Sequence, residues 1–460
     1  MNTSEYQSFL AGKAVQAPRR GMENIPVLSS HLKPFQKACV EFHLSVGASG
    51  CFLDTGLGKT AVELEWSAIA ADASNGRSLI LTPLAVAWQV AKEAKRFGYD
   101  ARVIKSQDEA GPGLNICNYD RIEALDASAF GSVTLNESSL LKNFTGKTTR
   151  KLIDTFAGHR WKLAETATPA PNDHMEIGTH AEFLEIMASN EMLSRFFIND
   201  TSTASHQWRL KGHAETAFWD WMASWCRMAS LPSDLGDSDD GFVLPPMQVY
   251  RHHAERGTPI MTGGLFGALE VSATSMHQIK RMTADARARV AAGLVSSDQE
   301  QWVLWVDTDY EADAVRKLIP EAQEVRGSMT ADEKEDRLRG FTEGSIRVLI
   351  TKGSIAGFGL NWQQCARTAF VGRSFSYELW YQAVRRFWRF GQLRPVDVHL
   401  IVAEGEDAIG RVIDRKADDH TRMKAAMSAA MRRNLGRESL TKTPYNPTHQ
   451  GRLPAWLCAA

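Results

Sequence analysis

A glycine-rich stretch near the start of the chain has the residue types of a phosphate-binding loop. It lies between a short apolar run and a helical pattern, and it reads Asp54-Thr55-Gly56-Leu57-Gly58-Lys59-Thr60. The two glycines let backbone N–H groups close on phosphates, and the following helix adds the positive end of its dipole. Lys59 can reach the terminal phosphates, and the hydroxyl of Thr60 can bind Mg²⁺. The stretch from Thr55 to Thr60 is therefore predicted to bind a nucleotide and its metal ion.

A second candidate site follows the apolar run 133–135, which ends in Asn136 and Glu137. Strand ends of this kind bring one carboxylate to the metal and another to the attacking water. Glu137 can polarise that water. Asn136 stands where an aspartate is expected, and loss of such a group costs about 10–100-fold in metal affinity or activity. The sequence predicts a weakened metal site, in which Asn136→Asp raises turnover, and leaves open whether Asn136 is natural or engineered.

Two arginines in the second half have the chemistry of phosphoryl-transfer residues. Arg386 and Arg389 are three positions apart, which predicts that both lie on one helical face. A permanently charged, planar guanidinium suits the charge that develops on a transferred phosphoryl group. The alternative is a solvated basic face, which the interleaved Phe387, Trp388 and Phe390 disfavour.

The elements that must position these residues follow an α/β pattern. Short apolar runs alternate with helical patterns twice along the chain, which predicts two parallel-sheet units. We expect an N-terminal arm (1–30), a first lobe (31–172), a mainly helical insertion or hinge (173–297), a second lobe (298–404), and a C-terminal helix with a tail (405–460).

Composition limits the classes of protein that fit. The 460 residues include 53 Lys and Arg against 54 Asp and Glu, so a polyanion would have to bind a local patch. The six cysteines are far apart and form no CxxC pair, which is typical of a reducing compartment. The sequence has neither a signal core nor the ~20-residue apolar run of a membrane span. A cytoplasmic monomer with no membrane role is expected.

Further motifs reveal a resemblance. Leu32-Lys33-Pro34-Phe35-Gln36 precedes the phosphate loop, Thr166-Ala167-Thr168-Pro169 follows Asn136 and Glu137, and the second half contains the stretches 355–361 and 382–392. Their order resembles that of superfamily 2 helicases, and the last two stretches resemble motifs of Swi/Snf-type DNA translocases. The short chain is most similar to compact phage-encoded members, which would place it in a host cytoplasm.

The resemblance implies two RecA-like lobes that use ATP and Mg²⁺ to drive movement on or remodelling of DNA, duplex or branched more than RNA. By position, Gln36 reads the adenine edge, Glu137 prepares water, and Arg386 and Arg389 act as arginine fingers. The residues expected to contact the DNA backbone are Thr82, Thr166, Thr351, Lys352 and Gly357.

Several alternatives stay open. Because of Asn136, the chain could instead be a nucleotide-responsive DNA-binding clamp with weak or no turnover. A small-molecule P-loop kinase is a third alternative, but it would leave the Arg386 motif without a role.

The insertion carries its own expectations. The spacing of Phe218, Trp219, Met222 and Trp225 favours core packing over base stacking, and a protein partner could dock on the insertion. The acidic stretch 234–240 is expected to be a solvated linker.

Overall fold

The computed structural model describes residues 16–83, 86–171, 173–200, 207–254, 273–356, 361–374, 376–403 and 407–442. The strands within these ranges are β1 (Ala48–Leu53), β2 (Arg77–Thr82), β3 (Ala101–Val103), β4 (Gly113–Asn118), β5 (Ser132–Asn136), β6 (Trp161–Glu165), β7 (Phe197–Asp200), β8 (Gln207–Leu210), β9 (Cys226–Ala229), β10 (Met247–Ala254), β11 (Trp302–Val306), β12 (Gln323–Val325), β13 (Val348–Lys352), β14 (Arg367–Phe370) and β15 (Val396–Ala403).

The α-helices within the same ranges are α1 (Pro34–Val46), α2 (Lys59–Asp72), α3 (Ala87–Phe97), α4 (Lys147–Thr155), α5 (Ile177–Phe183), α6 (Ser189–Phe196), α7 (Glu215–Ala223), α8 (Ala273–Ser296), α9 (Asp309–Leu318), α10 (Ala331–Thr342), α11 (Gly353–Ala356), α12 (Tyr377–Val384) and α13 (Asp407–Lys442). Short 3₁₀ turns, among them Ser138–Lys142 directly after β5, connect several of them.

Two parallel sheets organise the described chain. The first has seven strands in the order β3-β4-β2-β5-β6-β1-β9. The second has six strands in the order β10-β15-β14-β11-β13-β12. A separate antiparallel pair, β7 and β8, lies outside both sheets. The predicted α/β class with two RecA-like parallel-sheet lobes is confirmed.

Strand β1 shows why these apolar runs become central strands. All six of its residues are buried. Cys51 and Leu53 join the apolar cluster that contains Trp66 of α2, whereas Phe52 joins the cluster on the opposite face with Trp225. A parallel strand that is covered on both faces needs apolar residues at every position. Its carboxyl end therefore enters the glycine loop from a rigid support.

The range predicted as an insertion, 173–297, supplies strands to both sheets. Strand β9 extends the first sheet beside β1, and β10 pairs with β15 at one edge of the second. Its aromatic cluster is core packing, as predicted, because Phe218, Trp219 and Trp225 are all buried.

The acidic stretch 234–240 lies between β9 and β10, and three of its residues are exposed, but it is bonded to the first lobe and is therefore only partly the solvated linker that was expected. Asp234 accepts a hydrogen bond from the Ser230 N–H (2.9 Å) and Asp237 accepts one from the Phe35 N–H (3.1 Å). Asp237 satisfies a backbone donor in the first turn of α1, and Asp234 satisfies one just before the 3₁₀ turn Pro232–Leu235.

The long C-terminal helix α13 packs against the first lobe. Met423, Met427 and Met431 are buried in the same core cluster as Trp225. Arg433 pairs with Asp220 of α7 at 2.8 Å. The helix therefore returns from the second lobe to the first. No helix of the described residues has both the length and the apolar composition needed to cross a membrane.

Candidate active site

The glycine loop after β1 has the backbone conformation that its glycines allow. Gly56 and Gly58 have φ angles of 96° and 77°, in the left-handed region that residues with a side chain rarely adopt. A Cβ at Gly56 would lie 2.8 Å from the backbone nitrogen of Phe390, and one at Gly58 would collide with the amide of Gln36. The tight turn lets α2 begin at Lys59.

Gln36 lies behind this loop. Its Nε2 donates to the carbonyl of Leu57 at 3.0 Å, and its Oε1 accepts from the N–H of Lys33 at 2.9 Å. The side chain is 7% exposed. The structure therefore gives Gln36 a bracing contact with the loop, while its implied role in reading adenine stays a prediction.

Three predicted nucleotide residues lie at the start of α2 and in the loop. Thr55 donates its N–H to Asp54 Oδ1 at 2.7 Å. Lys59 and Thr60 are half-buried in the first turn of the helix. The charge of Lys59 favours the ionised forms of Glu63 and Glu165, so all three residues lie within electrostatic range of one another.

Asn136 and Glu137 stand at the carboxyl end of β5, beside the loop. Glu137 has a φ of 60°, which is uncommon for a residue other than glycine and is a form of strain that clusters at functional sites. The hydroxyl of Thr166 donates to Glu137 at 3.5 Å and accepts from the N–H of Thr168 at 3.1 Å. The strand order β5-β6-β1 thus brings Glu137 and the Thr166 motif to the same edge as the loop.

Two buried glutamates that the sequence reasoning did not use flank Asn136. Asn136 donates from Nδ2 to Oε2 of Glu63 on α2 at 2.9 Å. Glu165 is the partner of Asn136 in the register between β5 and β6. Burial raises the pKa of Glu63 to about 8, against the hydrogen bond from Asn136, and burial together with the charge of Glu63 raises the pKa of Glu165. Glu63 is three residues after Thr60, which places both on one helical face. This spacing could have identified Glu63 from the sequence as a residue near the metal site.

The two arginines lie in a turn, and the predicted helical face is wrong. Helix α12 ends at Val384, and the N–H of Arg386 bonds the Ala383 carbonyl, three residues back. Phe387 is fully buried in the core of the second lobe, which turns the chain at this point. Packing of an aromatic side chain has overridden the helical spacing.

The turn nevertheless directs both arginines toward the first lobe. Arg386 is 2% exposed and donates from Nε to the carbonyl of Gln382 at 3.0 Å. Burial lowers the pKa of Arg386 to about 10, against the attraction of Glu137. Burial also lowers the pKa of Arg389, against the attraction of Glu93 and Glu137. Glu137 therefore lies within electrostatic range of both guanidinium groups.

Asp54, in the glycine loop, connects the lobes and was not singled out from the sequence. It accepts hydrogen bonds from Tyr381 Oη (2.5 Å), from Arg385 (2.7 Å) and from Lys424 Nζ of α13 (2.8 Å). Burial alone would raise the pKa of Asp54, but the charges of Arg385 and Lys424 hold it well below its usual range.

Other contacts join α12 to the first lobe. Gln382 donates to the hydroxyl of Thr168 at 3.3 Å, and Lys142 forms an ion pair with Glu378. The lobes are therefore in contact across the candidate site.

The donor set fits Mg²⁺. In the described residues no three His, Cys, Asp or Glu side chains are arranged around one metal position. Mg²⁺ needs no such cage, because it is usually held by one or two protein oxygens with substrate phosphates and water. Thr60 offers a hydroxyl, and Glu63 has a buried oxygen, Oε1, without a hydrogen-bond partner in the described part of the chain. Asn136 faces Glu63 with its amide nitrogen, which is a donor and no metal ligand.

The structure does not bring the predicted DNA-contact residues together on one open surface of the ranges that it describes. Thr82, Thr166 and Thr351 are buried, and the hydroxyls of Thr82 and Thr351 bond the carbonyls of Pro83 and Val325 at 3.4 Å each. Lys352 lines an open pocket of the second lobe with Ser354 and Ser376, and it pairs with Asp309 at 2.8 Å. Gly357 lies outside the described residues.

Comparisons with known proteins give a partial match. No family model matches the chain. A segment of 98 residues, 21% of the chain, is 31% identical to "TATA-binding protein-associated factor mot1" from two strains of Aspergillus fumigatus. That segment spans 5% of each fungal protein, so the chain covers only a small part of the length of these relatives. The matched proteins are fungal, and the resemblance to phage-encoded members stays a prediction.

Proposed function

We propose that this chain is an ATP-dependent DNA motor of the helicase-like class. One observation carries the proposal: the turn after α12 of the second lobe reaches the glycine loop of the first, with Arg386 and Arg389 in electrostatic range of Glu137. In this class of site, nucleotide binds in the cleft and its hydrolysis changes the contact between lobes.

The residues of the cleft would divide the chemistry between them. Lys59 and the N–H groups of the loop bind the phosphates, and Glu137 orients the attacking water. Arg386 and Arg389 stabilise the charge that develops on the transferred phosphoryl group. When bound, Mg²⁺ would neutralise charge on the phosphates.

Movement on DNA requires that hydrolysis alter the junction. Asp54 belongs to the loop that would hold the phosphates, and it is bonded to α12 and to α13. A change in nucleotide state would therefore reach the second lobe directly. The resemblance to DNA translocases supports DNA as the partner, as does partial similarity to a protein named for its association with the TATA-binding protein.

The test is steady-state phosphate release with no DNA and with duplex, single-stranded and branched DNA at matched salt. We expect stimulation by duplex or branched DNA, and we expect Lys59→Ala to abolish hydrolysis while DNA binding persists, because Lys59 meets phosphates and not DNA. Lys37→Ala, which changes a lysine outside the loop, is the control.

Two results would contradict the proposal. Hydrolysis by Lys59→Ala at the rate of the unaltered chain would remove the glycine loop from the mechanism. Nucleotide-dependent DNA binding without phosphate release would instead establish the alternative function, a clamp that does not turn over.

A further inference from the structure

We infer that Glu63 supplies the carboxylate that is missing at position 136, and that Asn136 positions it beside the metal. This inference deepens the proposed function and depends on the same nucleotide site. It also changes the interpretation of Asn136. Instead of marking a weakened metal site, the amide would be part of a site that binds Mg²⁺ normally.

The hydrogen bond between the two side chains is the first observation. Asn136 Nδ2 donates to Glu63 Oε2 at 2.9 Å. When Glu63 is ionised, an aspartate at 136 would present an acceptor to this acceptor, and two charged oxygens at that distance repel each other. Asn136 is therefore matched to a carboxylate at position 63.

The packing of α2 on β5 aligns Glu63 with the metal-binding end of the helix. Ser67 bonds Thr134 between their hydroxyls at 3.0 Å, and one turn earlier Glu63 bonds Asn136. Thr60 is three residues before Glu63, so it lies next on the same helical face. The face that runs along β5 thus ends at the hydroxyl expected to bind Mg²⁺.

The second observation is an unsatisfied oxygen of Glu63. Glu63 is fully buried, and its Oε1 has no hydrogen-bond partner among the residues that the structure describes. Leaving a buried acceptor unsatisfied is unfavourable. A purely structural acceptor for Asn136 needs only Oε2 and gives no reason to bury Oε1 without a partner. A cation, or water bound to it, would satisfy this oxygen.

Glu165 is the competing carboxylate. It is buried, and its Oε2 also has no partner within the described ranges. It lies beside Asn136 in the sheet register, but the side-chain bond of Asn136 goes to Glu63. The charged groups within electrostatic range of Glu63 include Lys59, Glu93 and Glu137.

The experiment measures binding of a fluorescent ATP analogue at a series of Mg²⁺ concentrations and in EDTA. We expect Glu63→Gln to weaken the apparent Mg²⁺ affinity by about 10–100-fold and to leave binding in EDTA unchanged. The glutamine introduced by this substitution would keep one oxygen as the acceptor for Asn136, but it would replace the other oxygen with an NH₂ group and carry no charge. The matched control is Glu65→Gln, a buried glutamate of the same helix that pairs with Ser29 and Tyr99 away from the site.

A further pair of variants moves the negative charge from position 63 to position 136. Asn136→Asp alone should not improve Mg²⁺ affinity, whereas the double variant Glu63→Gln/Asn136→Asp should recover most of what Glu63→Gln loses. The double variant restores both the hydrogen bond and the single charge, so it also controls for folding.

The outcomes separate the two proposals. Unchanged Mg²⁺ affinity in Glu63→Gln overturns the role of Glu63, and a loss confined to Glu165→Gln assigns the carboxylate to Glu165 instead. A gain in Mg²⁺ affinity in Asn136→Asp alone also overturns it. If the unaltered chain binds no nucleotide with or without Mg²⁺, the proposed function itself fails.

Discussion

At the scale of single residues, Arg386 and Arg389 show how charged side chains are accommodated in a site that excludes most of the solvent. Burial lowers the pKa of Arg386 to about 10, which still leaves the guanidinium charged at neutral pH. Glu137 offsets part of the cost of burying both arginines. A desolvated guanidinium stabilises developing charge more strongly than a solvated one, because few solvent dipoles screen it.

We predict that Arg389→Ala lowers turnover far more than it weakens ATP binding. An arginine finger acts mainly on charge that appears in the transition state, and such residues are worth about 10³–10⁵ in rate. Single-turnover hydrolysis and nucleotide binding should be measured on the same preparations. Arg394→Ala is the control, because Arg394 lies in the same segment but pairs with Glu300 on the surface.

Two patterns of result would argue against this role. A variant that loses nucleotide affinity and keeps its single-turnover rate would give Arg389 a ground-state contact only. Equal losses in Arg389→Ala and Arg394→Ala would point to a general effect of charge on the segment.

At the scale of elements, a strand or helix can be predicted when its own residues show a strand-like or helix-like pattern. The strand, glycine loop and helix from β1 to α2 could be predicted, because an apolar run, two glycines and a helical pattern are adjacent in the chain. Strand β9 could not, since Cys226 to Ala229 contains no β-branched or aromatic residue. It forms because β1 offers it an edge for pairing.

Contacts between distant segments are hidden from sequence reasoning for the same reason. Asp54 meets Tyr381 and Lys424 across separations of 327 and 370 positions. The pairing of Asn136 with Glu63 likewise depends on how α2 lies over β5. Residue types and spacing identified the loop and Glu137, whereas the fold alone revealed which buried charges face them.

The glycine loop gives a prediction at this scale. Gly58 and Gly76 have nearly equal φ angles, 77° and 78°. Gly58 has a neighbour, Gln36, where a Cβ would stand, whereas Gly76 has none among the described residues. Gly76→Ala should therefore cost only the left-handed conformation, about 1–2 kcal/mol. Gly58→Ala should cost more and should also weaken nucleotide binding, because Gln36 must move.

Urea unfolding of both variants, with binding of the fluorescent ATP analogue, checks this prediction. Equal destabilisation by the two substitutions would mean that Gln36 yields without cost. Full nucleotide affinity in Gly58→Ala would show that the contact of Gln36 with the loop does not shape the nucleotide site.

At the scale of the whole molecule, one carboxylate joins three parts of the chain. Asp54 follows β1, Tyr381 lies in α12 with Arg385 directly after that helix, and Lys424 comes from α13. The attraction of Asp54 raises the pKa of Arg385 although burial opposes it, whereas burial prevails and lowers the pKa of Lys424. The contacts of Asp54 thus join the lobes through the loop that would bind the nucleotide.

We predict that Asp54→Asn opens the junction between the lobes at neutral pH. The substitution keeps the shape of the side chain but leaves the partly buried Arg385 and Lys424 without their counter-charge, at a cost of up to about 3–5 kcal/mol. The radius of gyration from small-angle scattering should increase, and the thermal midpoint should fall. Asp309→Asn is the control, because Asp309 pairs with Lys352 at an exposed position, where an ion pair contributes about 0–1 kcal/mol.

The contribution of Asp54 to the stability of the junction should also depend on pH, and its pKa gives the direction. Because the pKa of Asp54 is depressed in the folded state, its stabilisation is fully present above the ordinary carboxyl pKa of about 3.9 and is lost as the pH falls through the lower value. The unaltered chain should therefore approach the variant in radius of gyration only under acid conditions. A variant as compact as the unaltered chain at neutral pH would show that the contacts of Gln382 with Thr168 and of Lys142 with Glu378 hold the lobes together without Asp54.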